Sequence, residues 1–266
     1  KVMALASLGE LHKTHFKVKR IGMEKLPAGE PCLILMNHSS FIDLKIAATV
    51  FADRPFNIVC TSDGLVGKSF LMRKLGCIPT NKFITDLVLV KDMVYALHTL
   101  KNSVLLYPEA SYSFDGTATP LPESLGKCIK LLKVPVIMVK TYGAFQHDPL
   151  YNNLQLRQVD VSADIEYVLS KEEITQKGAK EISALIKEKF TFDNFRWQQQ
   201  NRICVKEPFR ADYLNRVLYK CPECGREGSM EGHGITLRCE NCHKEYQLTE
   251  DGYLKAVDGE TRYSHV

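Results

Sequence analysis

The sequence predicts an α/β fold in which a mostly parallel or mixed sheet is flanked by helices, with a small additional unit near the C-terminus. Two observations predict this arrangement. Up to about residue 140, short apolar runs alternate with segments of helical periodicity, as expected for strands buried between two layers of helices. After residue 219, two cysteine pairs lie in a glycine-containing stretch that is too short for a second large core.

The elements of the alternating region follow from its hydrophobic pattern. The predicted strands are Cys32–Met36, Phe56–Cys60, Ser103–Tyr107 and Val134–Val139. The predicted helices are Phe41–Phe51, Leu65–Leu75, Asp86–Leu100 and Leu125–Leu132.

The pattern changes in the middle of the chain. Leu154–Leu169 is rich in β-branched residues and partly alternating, which predicts one or two further strands. Ser170 and Glu173 have the spacing of a capping box, and the helix that they begin is predicted to run to about Phe190. Two shorter helices are predicted at Phe192–Asn201 and Pro208–Lys220.

These patterns divide the chain into four parts. The α/β domain is predicted over residues 1–200 and a helical connector over 201–218. A compact cysteine-containing unit is predicted over 219–255, followed by a tail over 256–266.

Composition is that of a globular protein, with 45% hydrophobic and 25% charged residues. No apolar run approaches the roughly 18 residues that a membrane-spanning helix needs. The formal net charge of +4 is too small to indicate a polyanionic partner such as nucleic acid. Nine cysteines, an odd number with five of them scattered, indicate a reducing compartment and not a disulfide framework.

The four clustered cysteines have the spacing of a zinc site. Cys221 and Cys224 form one Cys-x2-Cys pair, Cys239 and Cys242 form the other, and fourteen residues separate the pairs. Two such pairs on facing turns supply the four soft ligands of a tetrahedral structural Zn²⁺ and leave no open position for catalysis. The intervening chain predicts a hairpin, with strands at Ile235–Arg238 and Glu245–Leu248.

Two alternatives apply to this unit. The four cysteines can instead be free thiols, and a histidine, His233 or His243, is available to replace one of them as a ligand. Zinc ribbons also bind nucleic acid, but this one has no excess of positive charge for a phosphate backbone, which favours a packing or protein-contact role. Its basic residues Arg226, Arg238 and Lys244 are offset by Glu223, Glu227, Glu231, Glu240 and Glu245.

A histidine and an aspartate lie where the first predicted strand gives way to a helix. Asn37 and His38 follow the strand, and Asp43 falls in the first helical turn. At the carboxyl edge of a sheet, where ligands bind in open α/β folds, Asp43 can orient the imidazole of His38 as a general base. The alternative is a plain helix N-terminus, capped by Ser39 or Ser40, with a charged neighbour.

Four motif blocks follow one another along the chain. They are Asn37-His38-x4-Asp43, Gly76-Cys-Ile-Pro-Thr-Asn-Lys82, Tyr107-Pro108-Glu109-Ala110-Ser111 and Val134-Pro135-Val136-Ile137-Met138-Val139. In this order they resemble the glycerolipid acyltransferases of the lysophosphatidic acid acyltransferase (PlsC-like) family, and the resemblance covers about two-thirds of the chain.

The resemblance implies acyl transfer from acyl-CoA or acyl-carrier protein to a hydroxyl of a lysophospholipid such as 1-acylglycerol-3-phosphate. In that reaction His38, oriented by Asp43, activates the hydroxyl, and backbone amides around Glu109–Ser111 can stabilise the oxyanion. Direct transfer without an acyl-enzyme is implied. The implied substrate-binding residues are Asn37, Lys82, Glu109, Ala110, Ser111 and Tyr112.

The third block departs from the family pattern. The family has Gly where this chain has Ala110, and an Arg that helps to hold the acceptor phosphate where this chain has Tyr112. Tyr cannot replace the bidentate donor that Arg provides. Lys82 remains at the basic position of the second block, so the acceptor phosphate is either bound with changed geometry or absent.

The predicted function is therefore an acyltransferase that acts at a membrane surface. The expected location is cytoplasmic, peripheral on the cytoplasmic face of the membrane, and no nucleic-acid partner is expected. The segment Leu65–Leu75 mixes apolar and basic residues, which suits either a membrane interface or a core-packing helix with a basic outer face. The alternative function is a non-catalytic lipid- or protein-binding regulator that keeps the fold and uses the zinc ribbon for partner contact.

Overall fold

A seven-stranded sheet forms the centre of the larger domain. A computed structural model of the chain describes residues 2–61, 76–81 and 86–266. The strands of this sheet within those residues are β1 Lys17–Ile21, β2 Leu33–Met36, β3 Phe56–Thr61, β4 Cys77–Thr80, β5 Ser103–Leu106, β6 Val136–Tyr142 and β7 Ser162–Leu169. Their order across the sheet is β1-β7-β6-β2-β5-β3-β4.

The sheet is mixed and mostly parallel, as predicted. Neighbouring strands pair in parallel except β6 and β7, which are antiparallel. The helices among the described residues are α1 Val2–Lys13, α2 Asp43–Val50, α3 Leu87–Val94, α4 Leu125–Leu132, α5 Ala144–His147, α6 Lys171–Gln176, α7 Ala179–Phe190 and α8 Asn194–Asn201. A π-helical turn, Tyr95–Thr99, extends α3.

The centre of the sheet is buried on both faces. Leu33 and Leu35 of β2 belong to the core beneath α4 and α7, whereas Ile34 and Met36 belong to the core beneath α1 and α2. Successive side chains of a strand point to opposite faces, so a strand covered on both sides is apolar throughout. This is why the hydrophobic runs predicted β2, β3, β5 and β6, four of the five inner strands.

The edge strand β1 was not predicted from the hydrophobic pattern. Four of the five side chains of Lys17–Ile21 are exposed, so the stretch has no apolar alternation. It forms a strand because its backbone pairs in parallel with β7. Of the long stretch Leu154–Leu169, only Ser162–Leu169 forms a strand. The predicted helix at Leu65–Leu75 lies outside the described residues.

Two helix predictions are wrong. The capping box of Ser170 and Glu173 is confirmed, but the helix that it begins ends at Gln176, because Lys177 and Gly178 are extended before α7 begins. Pro208–Lys220 is not an α-helix and contains only a 3₁₀ turn at Leu214–Arg216. The Ala211 and Tyr213 amides donate to carbonyls of the C-terminal unit, and these bonds replace those of a helix.

The C-terminal unit is a four-stranded antiparallel sheet. Its strands are β8 Met230–His233, β9 Thr236–Cys239, β10 Glu245–Leu248 and β11 Leu254–Ala256, in the order β11-β10-β9-β8. The two predicted strands are β9 and β10. A third hydrophobic core joins this unit to the α/β domain, since Leu237 and Tyr246 share it with Phe145, Tyr151 and Phe195.

Helix α4 packs closely against α7 at Gly126. A Cβ atom there would lie 2.1 Å from the Ala179 carbonyl oxygen and 2.5 Å from Ser183 Oγ. Gly126→Ala is therefore expected to lower the free energy of unfolding by about 3 kcal/mol, because a backbone must move to admit the methyl group. Urea unfolding measures this difference.

The matched control for this substitution is Gly9→Ala. Gly9 lies in α1 with no atom within 4 Å of an added Cβ, and its replacement is expected to stabilise the helix by about 0.5–1 kcal/mol. Equal effects at the two positions would show that α4 and α7 are not in close contact.

Candidate active site

The site lies where three neighbouring parallel strands end. Asn37 and His38 follow β2, Tyr107–Glu109 follow β5, and Thr141 lies near the end of β6. Because β6, β2 and β5 are adjacent and parallel, their carboxyl ends meet at one edge of the sheet. The sequence blocks that are far apart in the chain thus come together there.

His38 and Asp43 are hydrogen-bonded. The distance from His38 Nδ1 to Asp43 Oδ2 is 3.2 Å. The same oxygen accepts the backbone N–H groups of Ser39 and Ser40, at 2.7 and 2.9 Å. The Asp43 carboxylate is fully buried and faces these donors, so Nδ1 of His38 carries the proton and Nε2 remains an acceptor. This is the tautomer that a general base needs.

Asp43 lies at the start of α2 but does not cap it through a side chain. The N-cap position is Ile42, which has no side-chain cap bond. The Asp43 carboxylate instead turns back to the segment before the helix. The arrangement has features of both alternatives, because Asp43 bonds to His38 and Ser40 Oγ accepts the Ile42 backbone N–H at 3.1 Å where the helix begins.

Asn37 fixes the segment to the sheet. Its Oδ1 accepts the Thr141 backbone N–H at 2.8 Å and the Thr141 hydroxyl at 3.2 Å. Its Nδ2 donates to Ser39 Oγ at 2.9 Å. Both ends of the buried amide therefore bond within the protein, which makes Asn37 a support for His38.

Aromatic rings cover both faces of the His38 imidazole. The Tyr107 ring lies on one face, with centroids 4.0 Å apart, and the Tyr112 ring on the other, at 3.7 Å. Phe41 stacks on the outer face of Tyr112 at 4.6 Å. Burial raises the pKa of Tyr112 to about 12, so its hydroxyl stays neutral. The imidazole is 15% exposed, and its edge is left for a substrate.

Glu109 is a structural link beside the imidazole. Its Oε2 accepts the His38 backbone N–H and its Oε1 accepts the Thr119 backbone N–H, both at 2.9 Å. Burial raises the pKa of Glu109, and these two bonds oppose that effect. The carboxylate thus joins the loop after β5 to the segment after β2.

Ala110 has a left-handed backbone, with φ of +56°. A residue with a Cβ atom is disfavoured in this conformation, which accounts for the Gly that the family pattern has where this chain has Ala110. The Ala110 amide donates to the Tyr107 carbonyl at 3.1 Å, so it is engaged in a turn. Ser111 Oγ reaches the Glu109 carbonyl only at 3.5 Å.

Ala110→Gly is expected to raise the free energy of unfolding by about 0.5–1 kcal/mol, because glycine removes the left-handed strain. Urea unfolding is the measurement. Ala184→Gly, an exposed position within α7, is the matched control and is expected to cost about 1 kcal/mol. If both substitutions lowered the free energy of unfolding, the backbone of Ala110 would not be strained.

Lys82 and the basic residues of Leu65–Leu75 lie outside the described residues. Asp148 was not predicted, although it accepts a hydrogen bond from Ser40 Oγ. The two residues are 108 positions apart, and no spacing in the sequence relates them.

The four cysteines form a compact set. Their sulfur atoms all lie within 4.8 Å of one another, with 3.6 Å from Cys221 to Cys242 and 3.8 Å from Cys224 to Cys239. Ligands at the usual Zn–S distance in a tetrahedron are separated by about 3.8 Å. The set therefore fits a metal ion bound by four thiolates.

The two Cys-x2-Cys turns have matching backbones. In each, the residue after the second cysteine donates its N–H to the carbonyl of the first, Gly225 to Cys221 and His243 to Cys239, both at 2.9 Å. Both residues are left-handed, with φ of +72° and +60°. Such paired turns aim the sulfur atoms at a common centre, and His243 serves in the turn.

The larger domain is similar to known acyltransferases in sequence and in fold. Residues 17–140 match the family model described as Acyltransferase. The fold is similar to that of the 1-acyl-sn-glycerophosphate (LPA) acyltransferase PlsC from Thermotoga maritima, with a TM-score of 0.54 and 18% identity over 71% of this chain and 75% of that chain. No curated protein gives a significant match. The match and the fold support an acyltransferase domain.

No helix within residues 2–61, 76–81 and 86–266 has the length and hydropathy needed to cross a membrane.

Proposed function

We propose that the protein transfers a fatty acyl group from a thioester, acyl-CoA or acyl-carrier protein, to the hydroxyl of a lysophospholipid. The reference acceptor is 1-acylglycerol-3-phosphate. The observation that carries the proposal is the His38–Asp43 pair, with Asp43 buried and bonded to Nδ1, within a stretch that matches the Acyltransferase family.

The proposed reaction begins at the edge of the imidazole. His38 Nε2 removes the proton of the acceptor hydroxyl, and the oxygen attacks the thioester carbonyl. The tetrahedral intermediate then collapses, the C–S bond breaks, and the leaving thiolate takes the proton from the imidazolium. Asp43 stabilises the imidazolium formed on the way. The stacked Tyr107 and Tyr112 rings restrict the imidazole to this orientation.

The other proposed roles follow from position. Glu109 and Asn37 hold the backbone beside His38. The Ser111 amide is a candidate for an oxyanion donor, whereas the Ala110 amide already donates to the Tyr107 carbonyl. Lys82 remains the proposed cation for an acceptor phosphate. Tyr112 stands where the family has an Arg for the acceptor phosphate, and it provides no positive charge. Because its ring lies on the imidazole, its proposed role is to shape the entrance to the site.

A membrane surface is the proposed place of action, because the acceptor is a lipid. Phe41, beside the site, is half exposed, and Leu87 and Val88 in the first turn of α3 are 77% and 63% exposed. Apolar side chains of this kind suit contact with the interface of a bilayer. The cytoplasmic face is proposed because the cysteine usage fits a reducing compartment.

The Cys221–Cys224–Cys239–Cys242 set is proposed to hold one structural Zn²⁺. The ion would be bound by four thiolates and fix the C-terminal sheet, with no position open to substrate.

A second candidate is a non-catalytic lipid- or protein-binding regulator that uses the zinc ribbon for partner contact. The observation that favours it is the covering of one imidazole face by Tyr112, at the position where the family has Arg.

One assay separates the two candidates. Purified protein is incubated with acyl-CoA or acyl-carrier protein and a panel of lysolipids with and without a phosphate, and thiol release is followed. Acceptor-dependent release supports the enzyme and identifies the acceptor. Absence of turnover across both donors and the whole panel would favour the regulator.

A further inference from the structure

A second buried carboxylate reaches the segment between His38 and Asp43. Asp148 follows α5 directly and is 5% exposed. Its Oδ1 accepts the Ser40 hydroxyl, and the backbone N–H of Phe41 also donates to this carboxylate. Asp148 lies beyond the residues 17–140 that match the family.

Ser40 is thereby held from two sides. Its backbone N–H donates to Asp43 Oδ2 at 2.9 Å, whereas its side chain donates to Asp148. Its Oγ also accepts the Ile42 backbone N–H at 3.1 Å. A displacement of Ser40 would therefore remove one of the donors that hold the Asp43 carboxylate beside His38.

Asp148 is itself fixed by the rest of the molecule. The neighbouring His147 bonds through Nδ1 to the Arg157 carbonyl at 2.9 Å, and the Arg157 N–H donates to the His147 carbonyl at 2.8 Å. Phe145 of α5 is buried in the core that contains the cysteine unit. The carboxylate is thus presented to Ser40 from a rigid support.

The charge of Asp148 depends on its surroundings. Burial, the largest cause, and the neighbouring Asp43 raise its pKa, whereas the Ser40 hydroxyl, His147 and the Phe41 amide lower it, and the net value is about 6. The titratable groups that face it among the described residues are His147, Asp43 and Tyr112. Asp148 is therefore ionised above about pH 6, and an ionised carboxylate forms the stronger hydrogen bonds.

We infer that Asp148 is a positioning residue for the proposed base, which acts by holding Ser40 and Phe41 so that Asp43 keeps its bond to His38. This inference rests on the proposed acyl transfer. It assigns to α5 a part in the site that neither the His–Asp spacing nor the family match indicates.

The test uses the full chain and the donor and acceptor that the wild-type protein turns over best. Asp148→Asn is expected to lower kcat about tenfold with KM within twofold, because a small misplacement of a catalytic group costs rate and not binding. Ser40→Ala is expected to act similarly, and the double variant to lose no more than either single one. The matched control is Asp160→Asn, an exposed carboxylate paired with His15, which is expected to leave kcat unchanged.

Two further measurements separate positioning from folding. The ratio of kcat/KM in the wild-type protein to that in Asp148→Asn is expected to fall from about ten toward one as the pH is lowered through about 6, because protonated Asp148 is uncharged, as Asn is. The thermal midpoint at pH 7.5 is not expected to fall, because the raised pKa shows that the ionised form of Asp148 disfavours the folded state above about pH 6.

Imidazole ¹⁵N spectra provide a readout that does not need turnover. In Asp148→Asn the His38 signals are expected to shift toward a mixture of tautomers. Unchanged His38 spectra in this variant, or a kcat and a pH dependence equal to those of the wild-type protein, would overturn the inference. If the wild-type protein itself has no turnover, the proposed function fails, and the spectra alone decide the role of Asp148.

Discussion

His38→Ala is expected to lower acceptor-dependent thiol release by about 10²–10⁴-fold, the range that a positioned general base contributes. The physical reason is that an alcohol is a weak nucleophile at neutral pH and needs a base. His38 Nε2, on the imidazole between the Tyr107 and Tyr112 rings, is the proposed base. Steady-state kinetics at saturating donor and acceptor measures the loss in kcat.

The fold is expected to survive this substitution. The imidazole stacks on Tyr107 and Tyr112 and bonds to Asp43. Its removal leaves Asp43 bonded to two backbone N–H groups and leaves the backbone bonds of His38 to Glu109 and Ser113 in place. The matched control is His15→Ala, which removes a histidine bonded to an aspartate at 2.8 Å on the surface, and it is expected to be fully active. Retention of more than a tenth of the activity by His38→Ala would place the base elsewhere.

Loss of the metal is expected to have the largest effect on stability. The purified protein is expected to contain about one zinc per chain by elemental analysis, and Cys239→Ser to lower this content and the thermal midpoint, by about 10 °C or more. Zinc bound by such a set contributes on the order of 10 kcal/mol to the folding of small domains. Cys239 is fully buried, so its replacement also disturbs the sheet that it closes.

The effect is expected to reach the α/β domain. The core of the C-terminal sheet includes Phe145, Tyr151 and Phe195, and α5 lies between this core and Asp148. The matched control is Cys204→Ser, an exposed thiol outside the set, which is expected to keep the metal and the midpoint. If Cys239→Ser lost activity with an unchanged thermal midpoint, the metal would have a chemical role and not a structural one.

Much of the fold was predictable because its signals are local. Strand β2 is buried on both faces, so its apolar run is continuous, and the Ser170–Glu173 capping box is a four-residue pattern that formed as predicted. The cysteine spacing likewise predicted the sulfur cluster. The error in the predicted helix after Ser170 also has a local cause. The hydrophobic periodicity continues through Lys177 and Gly178, but the backbone of these two residues is extended and separates α6 from α7.

The candidate site was only partly predictable. The pairing of His38 with Asp43 follows from five positions of spacing and from the strand that precedes them. The stacking of Tyr107 and Tyr112 on the imidazole does not, because it depends on where β5 lies relative to β2. Glu109 was expected near the substrate, yet its carboxylate bonds the His38 and Thr119 amides.

The sequence by itself determined four of the inner strands, the His–Asp pair and the four-cysteine set, because each is encoded by periodicity or spacing over a short stretch. Only the tertiary structure decided that Tyr112 covers the imidazole, that Asp148 holds Ser40, and that the C-terminal sheet shares a core with α5. These contacts join residues up to 108 positions apart. Such contacts are set by the packing of whole elements against one another, a property of the folded chain that no local pattern records.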